Sequence, residues 1–598
     1  MNRVLKKITL LAMMAFPISA ATAADLRIDF VPQFNGAPLV FDALTNRIAS
    51  GQTISVTRLD FLLSDISLRR ADGTWIGRKK WFAFISMRNG RTDFTLQNVP
   101  PGNYDRVRFH IGLEPQINHG DIAQWPAGHP LNPDVNDLYW GWSHEYIFLA
   151  FEGRWLSGGA GEDVGTPVEG GFSYHIATDR LLMTVALPVQ LNLSRDREIQ
   201  LALNVDKFFS TPNAICLSDT TDTSHSRTND LLAVQLRQNM EHAFAIKSVT
   251  EFSPMAGLTR GTNRIEIAPN ATPYRFTFSA FFPQPNLPRD NPLTVQGVAL
   301  GRKLFFDRRL SVNDSESCAT CHNPRFAFSQ PQPVSRGANG DLGTRNAMSL
   351  ENLAWKDSFF WDGRAANVRE QVLQPIQNPI EMHESLTNLV AKISADTNYP
   401  PLFADAFGSP KITTDRIARA LEQFVLTRVS FNSKFDHVMN GTAKFTKEEA
   451  RGFVLFNTEY DPYHGQFGAD CFHCHGGPLF QSLDFANNGL DSTFKDLGRY
   501  NVTRRDGDKG KFGVPSLRNV AVTGPYMHNG RFQTLDEVVE HYCTGMKRSA
   551  TLNPNLAKHP DGGVPLSNAD KQALVAFLKT LTDERFLPPA APTGYAQK

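Results

Sequence analysis

The sequence predicts a chain of two parts, an all-β sandwich followed by a mainly α-helical region with two lobes. Three observations predict this architecture. Short runs in which apolar and polar residues alternate fill residues 24–252. Apolar residues at helical spacing dominate residues 291–590. A Cys-x-x-Cys-His pattern occurs once in each half of that second region, which predicts lobes at about 291–430 and 431–590.

The N-terminal half has the pattern of an antiparallel β-sandwich. Period-two runs are broken by Asn-Gly, Pro-Gly and Asp-Gly dipeptides, which favour tight turns. The runs are residues 26–30, 59–63, 81–85, 105–111, 182–187 and 198–203. Residues 253–290, rich in Pro, Asn and Thr, are predicted to be a linker.

After the linker the periodicity becomes helical. The predicted helices are residues 417–429, 447–456, 535–542 and 568–581. Ser567 directly precedes the last of them and is a suitable N-cap, because its hydroxyl can accept a bond from the first turn. Long loops are expected between these helices.

Two pentapeptides carry the main chemical signal: Cys318-Ala-Thr-Cys321-His322 and Cys471-Phe-His-Cys474-His475. Two thiols at this spacing can add to the vinyl groups of one haem, and the adjacent imidazole can bind its iron. A redox pair or half of a zinc site would not explain a histidine after both pairs. The sequence therefore predicts two covalently bound c-type haems, with His322 and His475 as iron ligands.

The N-terminus and the composition indicate the compartment. Residues 1–23 have a basic start, an apolar stretch and a small-residue cleavage site, as in a secretory signal peptide, so we expect a periplasmic protein. No later stretch approaches the roughly 18 apolar residues of a membrane span. With 61 basic and 60 acidic residues, the charge gives no argument for nucleic acid. Cys216 and Cys543 remain, either as a disulfide or as free thiols.

Several motifs in the second half resemble the bacterial di-haem cytochrome c peroxidase and MauG superfamily. They are Leu304-Phe-Phe-Asp-Arg-Arg-Leu310, the first haem motif, Phe360-Trp-Asp-Gly-Arg364, Gln374-Pro-Ile-Gln-Asn-Pro379, Pro515-Ser-Leu-Arg-Asn-Val520 and Pro525-Tyr-Met-His-Asn-Gly530. The resemblance extends over about residues 291–587. It implies a di-haem oxidoreductase that acts on hydrogen peroxide.

The haem on His322 is expected to have an open coordination site. Classical di-haem peroxidases place a second histidine after this motif, but no histidine occurs here between His322 and His383. By resemblance to MauG-like enzymes, the distal pocket would contain Gln371, Pro375 and Glu381. A carboxylate and an amide beside an open iron can move a proton between the peroxide oxygens.

The haem on His475 needs a ligand on its far side, and the resemblance places Tyr542 there. A phenolate favours higher iron oxidation states, whereas the thioether of a peroxidase favours Fe(II). The alternative ligand is Met546. By resemblance, Trp361 lies between the haems as a relay for charge.

The same resemblance implies a calcium ion near the haems. Its ligands would be Asn346 and the backbone carbonyls of Thr523 and Pro525. Hard oxygen donors of this kind suit Ca²⁺.

The β-half resembles a second family, MbnP, whose members include copper-binding proteins with a tryptophan oxidised to kynurenine. The matching segment is residues 132–153, which contains Trp140-Gly-Trp142-Ser-His144, supported by residues 172–176. If this segment is extended, the Trp142 indole and the His144 imidazole lie on one side. The copper ligands would be Trp142 after oxidation, His144, His175 and His225, since imidazoles suit copper. Either Trp140 or Trp142 is the modified residue.

Together these resemblances imply a peroxide-dependent di-haem oxidase that modifies its own N-terminal domain. The oxidase would form a bis-Fe(IV)-type state, convert Trp142 to kynurenine and complete a copper site. Tethering the substrate to the enzyme gives a high effective concentration. Two alternatives stay open. One is a cytochrome c peroxidase with an external periplasmic electron donor, and the other is a copper-binding protein whose haems only transfer electrons.

Overall fold

The computed structural model describes residues 23–77, 81–141, 143–157, 169–252 and 265–587. The predicted signal peptide, apart from residue 23, lies outside the described residues, as do residues 253–264 of the predicted linker. None of the helices in the described part of the chain combines the length and apolar character needed to cross a membrane.

The N-terminal half consists of strands and three short helices. In chain order the strands are β1 Ala24–Phe34, β2 Ala37–Pro38, β3 Asn46–Arg47, β4 Thr53–Arg70, β5 Trp75–Gly77, β6 Ala83–Ser86, β7 Asp93–Val99, β8 Asn103–Ile111, β9 Tyr139–Trp140, β10 Glu145–Leu156, β11 Glu169–Ala177, β12 Met183–Asn192, β13 Arg197–Asn204, β14 Thr223–Ser224 and β15 Phe244–Glu251. The helices are α1 Pro115–Asn118, α2 Pro133–Asn136 and α3 Leu231–Glu241. Each predicted β-run overlaps a strand, and the runs 81–85 and 182–187 begin slightly before theirs.

These strands form two sheets that enclose a hydrophobic core. One sheet has the order β12-β8-β4-β10-β11-β14, with β3, β5 and β6 also paired to β4 and β9 to β10. The other has the order β15-β13-β1-β2, with β7 also paired to β1. Most pairs are antiparallel as expected, but β1 runs parallel to β13 and β11 runs parallel to β14. Alternate residues of β1 are buried between the sheets, where the rings of Phe30 and Phe61 meet edge to face at 5.4 Å.

The C-terminal half is mainly helix and loop, which confirms the predicted fold class. Its helices are α4 Val295–Phe305, α5 Cys318–Cys321, α6 Val368–Gln377, α7 Leu386–Ala395, α8 Tyr399–Phe407, α9 Thr414–Leu426, α10 Lys434–Met439, α11 Lys447–Phe456, α12 Tyr500–Thr503, α13 Leu535–Glu540, α14 Pro554–Ala557 and α15 Asn568–Lys579. Two short antiparallel pairs are formed by the strands β16 Tyr460–Asp461 with β17 Gln466–Phe467 and β18 Phe485–Ala486 with β19 Phe512–Gly513. The predicted N-cap is confirmed, since Ser567 accepts a bond from the Asp570 amide.

Each lobe is built around one closely packed helix pair. In the first lobe α4 packs on α9, where a Cβ at Gly301 would lie only 1.8 Å from the Ala420 carbonyl oxygen. In the second lobe α11 packs on α15, and a Cβ at Gly452 would lie 2.0 Å from the Ala573 carbonyl oxygen. Glycine is required at both contacts because any side chain would separate the helices.

The β-half is docked against the second lobe through apolar and polar contacts. One hydrophobic cluster contains Trp140 and Phe148 from the β-half together with Phe472 and Phe577 from the helical half. Buried polar groups also pair across the boundary: the Thr223 hydroxyl donates to Glu459 Oε1 at 2.6 Å. The haem motif at Cys471 therefore faces the β-domain directly.

Candidate functional site

Both haem motifs fold into single tight turns that bring their thiols and histidine together. The first turn is α5, capped by a reciprocal pair of bonds between Ser317 and Thr320. The second is the 3₁₀ turn Cys471–His473. In each motif the histidine amide donates to the carbonyl of the first cysteine at 2.9 Å. All four cysteines carry free thiols, which is the form that reacts with haem vinyl groups.

The two axial histidines are oriented in the same way. His322 Nδ1 donates to the Phe328 carbonyl at 3.0 Å, and His475 Nδ1 donates to the Phe480 carbonyl at 3.2 Å. This bond fixes the tautomer and leaves Nε2 with a free lone pair for iron. Burial lowers the pKa of His322, and it lowers the pKa of His475 to about 4, so both imidazoles are neutral and able to bind a metal.

One cavity of about 1210 Å³ connects the two motifs. It exceeds the 300–1,000 Å³ typical of a pocket for one small ligand. Its lining includes every haem-side residue that the sequence predicted, namely Cys318, Cys321, His322, Asn346, Trp361, Gln371, Pro375, Glu381, Cys471, Cys474, His475, Thr523, Pro525 and Tyr542. The free thiols, the aligned imidazoles and this volume fit two covalently attached haems.

The side of the cavity near His322 contains the predicted distal pair. Gln371 lies on α6, and Glu381 follows that helix, with its Oε1 accepting from the Asn378 amide at 2.7 Å. Burial raises the pKa of Glu381. A carboxyl group with a raised pKa is better suited to accept a proton from peroxide and return it. His383 is exposed and bonds to Asn339, and it is not among the residues that line the cavity. These positions are consistent with an open iron site.

Tyr542 and Met546, the two candidate ligands for the second haem, occupy different environments. Tyr542 lies in the π-helical turn His541–Gly545 that continues α13, and it lines the cavity. Such turns often mark functional sites. The Asn488 amide donates to the Tyr542 hydroxyl at 3.3 Å. Met546 is buried but is not among the described residues that line the cavity. The geometry favours the phenol.

Trp361 lines the cavity that connects the two motifs. Its indole N–H donates to the Asn346 carbonyl at 2.8 Å. The Asn346 side-chain amide donates to two backbone carbonyls, those of Gln332 and Pro333, which leaves its oxygen available. Asn346, Thr523 and Pro525 all line the same cavity, and the calcium site that they would form stays a prediction.

On the β-domain the structure brings together only part of the predicted copper set. His175 and His225 have ring centroids 4.7 Å apart, and the Trp140 ring lies 6.4 Å and 6.0 Å from them. His144 is exposed and contacts the Tyr139 hydroxyl instead. Gly141, Ser143 and His144 lie in a turn, and His144 has φ 57°, so these three residues are not extended. Trp142 lies outside the described residues.

The sequence analysis missed the residue that completes this group. His473, inside the second haem motif, has its Nε2 2.7 Å from His225 Nε2. Burial opposes ionisation of Glu152, but the hydrogen bond from His175 and the charge of Arg58 lower the pKa of Glu152 to about 2, so a carboxylate anchors the cluster. A histidine between the two cysteines of a haem motif was the only available signal. Cys216 is exposed, Cys543 is buried, and both are free thiols.

Comparisons with known proteins agree with this two-part arrangement. A family model described as di-haem cytochrome c peroxidase matches residues 295–444, and the MbnP model matches residues 23–228. Methylamine utilization protein MauG of Methylophilus methylotrophus is 35% identical over 300 residues, covering 49% of this chain and 84% of that protein. Cytochrome c551 peroxidase of Nitrosomonas europaea is 34% identical over 313 residues, covering 50% and 85%. The crystal structure of a MauG-like protein associated with microbial copper homeostasis is 34% identical, with a TM-score of 0.48, covering 53% of this chain and 98% of that one.

Proposed function

Since the chain belongs to the di-haem cytochrome c peroxidase and MauG family through its C-terminal half and carries an MbnP domain in its N-terminal half, we propose that it oxidises a tryptophan of its own β-domain to kynurenine. The C-terminal half is a di-haem oxidoreductase that acts on peroxide. We place the reaction in the periplasm because residues 1–23 have the pattern of a signal peptide. We assign Trp140 as the target.

The bound haems would supply the iron that cleaves peroxide and would hold the oxidising equivalents that cleavage yields. The chain supplies the proton chemistry. Glu381 takes a proton from one peroxide oxygen and returns it to the other as the O–O bond breaks, and the Gln371 amide orients the peroxide. Tyr542 would give the second iron an anionic oxygen ligand, and Trp361, which lines the same cavity, would carry charge between the haems.

The observation that carries the proposal is the position of Trp140 against the second haem motif. Its neighbour Gly141 meets Gly477, two residues after His475, so closely that a Cβ at Gly141 would lie 2.9 Å from the Gly477 Cα. Trp140 is 6% exposed, which keeps an oxidised indole away from bulk water. A buried indole this close to a haem attachment turn is a suitable electron donor, and the docked interface holds it there.

The reaction balances with peroxide as the only oxidant. Oxidative cleavage of the C2–C3 bond of Trp140 adds two oxygen atoms to the side chain and is a four-electron oxidation. Two molecules of hydrogen peroxide are therefore consumed, and two molecules of water are released. The product is N-formylkynurenine. Hydrolysis then releases formate and leaves the aromatic amine of kynurenine beside His175 and His225.

Peptide mass spectrometry across residues 132–153, before and after peroxide, tests this proposal. We expect conversion at Trp140 in the wild-type chain, none in Trp140→Phe, and undiminished conversion in Trp142→Phe. Conversion at Trp142 would restore the prediction made from the sequence. An unmodified segment, with oxidation of an added cytochrome c instead, would overturn self-modification and leave the peroxidase alternative.

A further inference from the structure

Three imidazoles from two domains converge at the interface between the β-half and the second lobe. His175 lies on β11, His225 directly follows β14, and His473 belongs to the turn Cys471–His473. One nitrogen of each ring lies within 4.8 Å of the others. His175 is 3% exposed, and the side chains of His225 and His473 are 9% and 1% exposed.

Each imidazole turns one nitrogen toward a buried carboxylate. His175 Nε2 lies 2.9 Å from Glu152 Oε1, His225 Nδ1 contacts Glu459, and His473 Nδ1 lies 3.4 Å from Asp470 Oδ1. The His175 contact is a hydrogen bond, whereas the other two are close contacts between a ring nitrogen and a carboxylate. A hydrogen-bonded carboxylate fixes the tautomer of a metal-binding histidine and makes its other nitrogen a better ligand.

The opposite nitrogens are left facing one another. His225 Nε2 and His473 Nε2 are 2.7 Å apart, and His175 Nδ1 is buried without a hydrogen-bond partner. If the outer nitrogens carry the protons, both Nε2 atoms present lone pairs, which repel unless a cation lies between them. For metal–nitrogen bonds of about 2.0–2.1 Å in a tetrahedral arrangement, the pair needs to open by roughly 0.6 Å. That is a small movement for two side chains.

A second possible ligand group, Glu459, Asp470 and His473, is already neutralised. The Lys558 ammonium contacts Glu459 and lies 3.2 Å from Asp470, whose carboxylate is also 3.1 Å from His559 Nε2. A metal ion there would have to displace a buried cation. The three-histidine side offers only imidazole nitrogen donors.

We propose that His175, His225 and His473 form a copper site that is complete only when the two domains are docked. Imidazole donors suit copper, and copper binds such sites more tightly than zinc. The β-domain alone supplies two ligands. The third comes from between the thiols that attach the second haem, so the metal ion would link the domains and lie beside that haem. This site needs no kynurenine, although Trp140 is near enough for its oxidised ring to become a fourth ligand.

Anaerobic Cu(I) titration of the full-length di-haem protein against a chromophoric chelator tests the site, without peroxide. We expect one copper ion per chain in the wild type. His473→Gln should weaken copper binding by about 100-fold or more. Loss of a residue that only hydrogen-bonds to a metal ligand already lowers metal affinity by about 10–100-fold. His464→Gln, which changes an exposed histidine of the same lobe, should leave binding unchanged. Equal affinity in the wild type and His473→Gln, or preferential binding of Zn(II), would overturn the proposal.

His473 lies inside a haem attachment motif, so a second variant and a spectroscopic measurement are needed to separate loss of copper binding from loss of haem attachment in His473→Gln. His225→Gln lies outside the haem motif and should weaken copper binding to the same extent. After oxidation to Cu(II), electron paramagnetic resonance should show nitrogen coupling in the wild type and faster relaxation of the nearby ferric haem. A haem signal unaffected by bound Cu(II) would place the metal elsewhere. Because no peroxide is used, failure here would leave the proposed oxidation of Trp140 standing.

Discussion

Replacing Glu381 with glutamine is expected to slow the reaction with peroxide while leaving the fold intact. Glu381 lines the haem cavity, and its side chain accepts a hydrogen bond from the Asn378 amide that glutamine can keep. Positioned general acid–base groups are worth about 10²–10⁴-fold in rate. We therefore expect the bimolecular rate constant for peroxide, measured by stopped-flow absorbance, to fall by about that factor.

The same substitution should not destabilise the protein. Burial raises the pKa of Glu381, so this carboxyl contributes stability below its ordinary pKa and loses that contribution as the pH rises through the folded-state pKa. At pH 7 the neutral amide should be at least as stable to heat as the carboxylate. In the wild type, the peroxide rate should fall as the pH drops through the raised pKa, because the base becomes protonated. In Glu381→Gln that pH dependence should be absent.

Glu370→Gln is the matched control for this experiment. Glu370 lies in the first turn of α6, is exposed and accepts a bond from the Ala366 amide. Its replacement should change neither the rate nor the pH profile. A Glu381→Gln rate within about threefold of the wild type, with an unchanged pH profile, would refute the assignment of Glu381 as the proton-transfer group.

Three further predictions concern the haem ligands and the fold. Because His383 is exposed, electron paramagnetic resonance of the ferric protein should show one high-spin and one low-spin haem, and two low-spin haems would contradict the open site. Tyr542→Phe should retain both haems but change the low-spin signal, whereas Met546→Leu should not; the reverse result would move the ligand to Met546. Asp436→Asn leaves the fully buried Arg518 without its paired charge, so urea unfolding should show a loss of about 3–5 kcal/mol, and a loss below about 1 kcal/mol would contradict this.

Much of the fold could be predicted because its signals are local in sequence. Alternation over a few residues specified strands such as β8, and helical spacing specified α11 to the residue. The parallel pairing of β1 with β13 could not be predicted, because register between strands separated by about 170 residues is decided by packing and not by either strand's own pattern.

Some residues of the candidate site can be identified from local sequence, and others come together only in the tertiary structure. The haem residues are visible because covalent attachment demands a fixed local spacing. The pairing of His225 with His473 spans 248 residues and depends on how two domains dock, so no spacing rule identifies it. The expectation for His144 assumed an extended segment. Gly141, Ser143 and His144 instead lie in the turn between β9 and β10, where the alternation of a strand does not apply, and a copper role for His144 stays a prediction.

Fusion of enzyme and substrate limits what the oxidase can do with peroxide. A buried interface with a shared hydrophobic cluster and paired polar groups, such as Asn555 with Glu152, holds Trp140 beside the haem turn. The self-modification that we propose therefore ends after the stoichiometric amount of peroxide that one indole requires. Peroxide consumed beyond that amount must draw electrons from outside the chain. The number of peroxide molecules reduced per chain without an added donor thus distinguishes a protein that matures its own metal site from one that works as a continuous peroxidase.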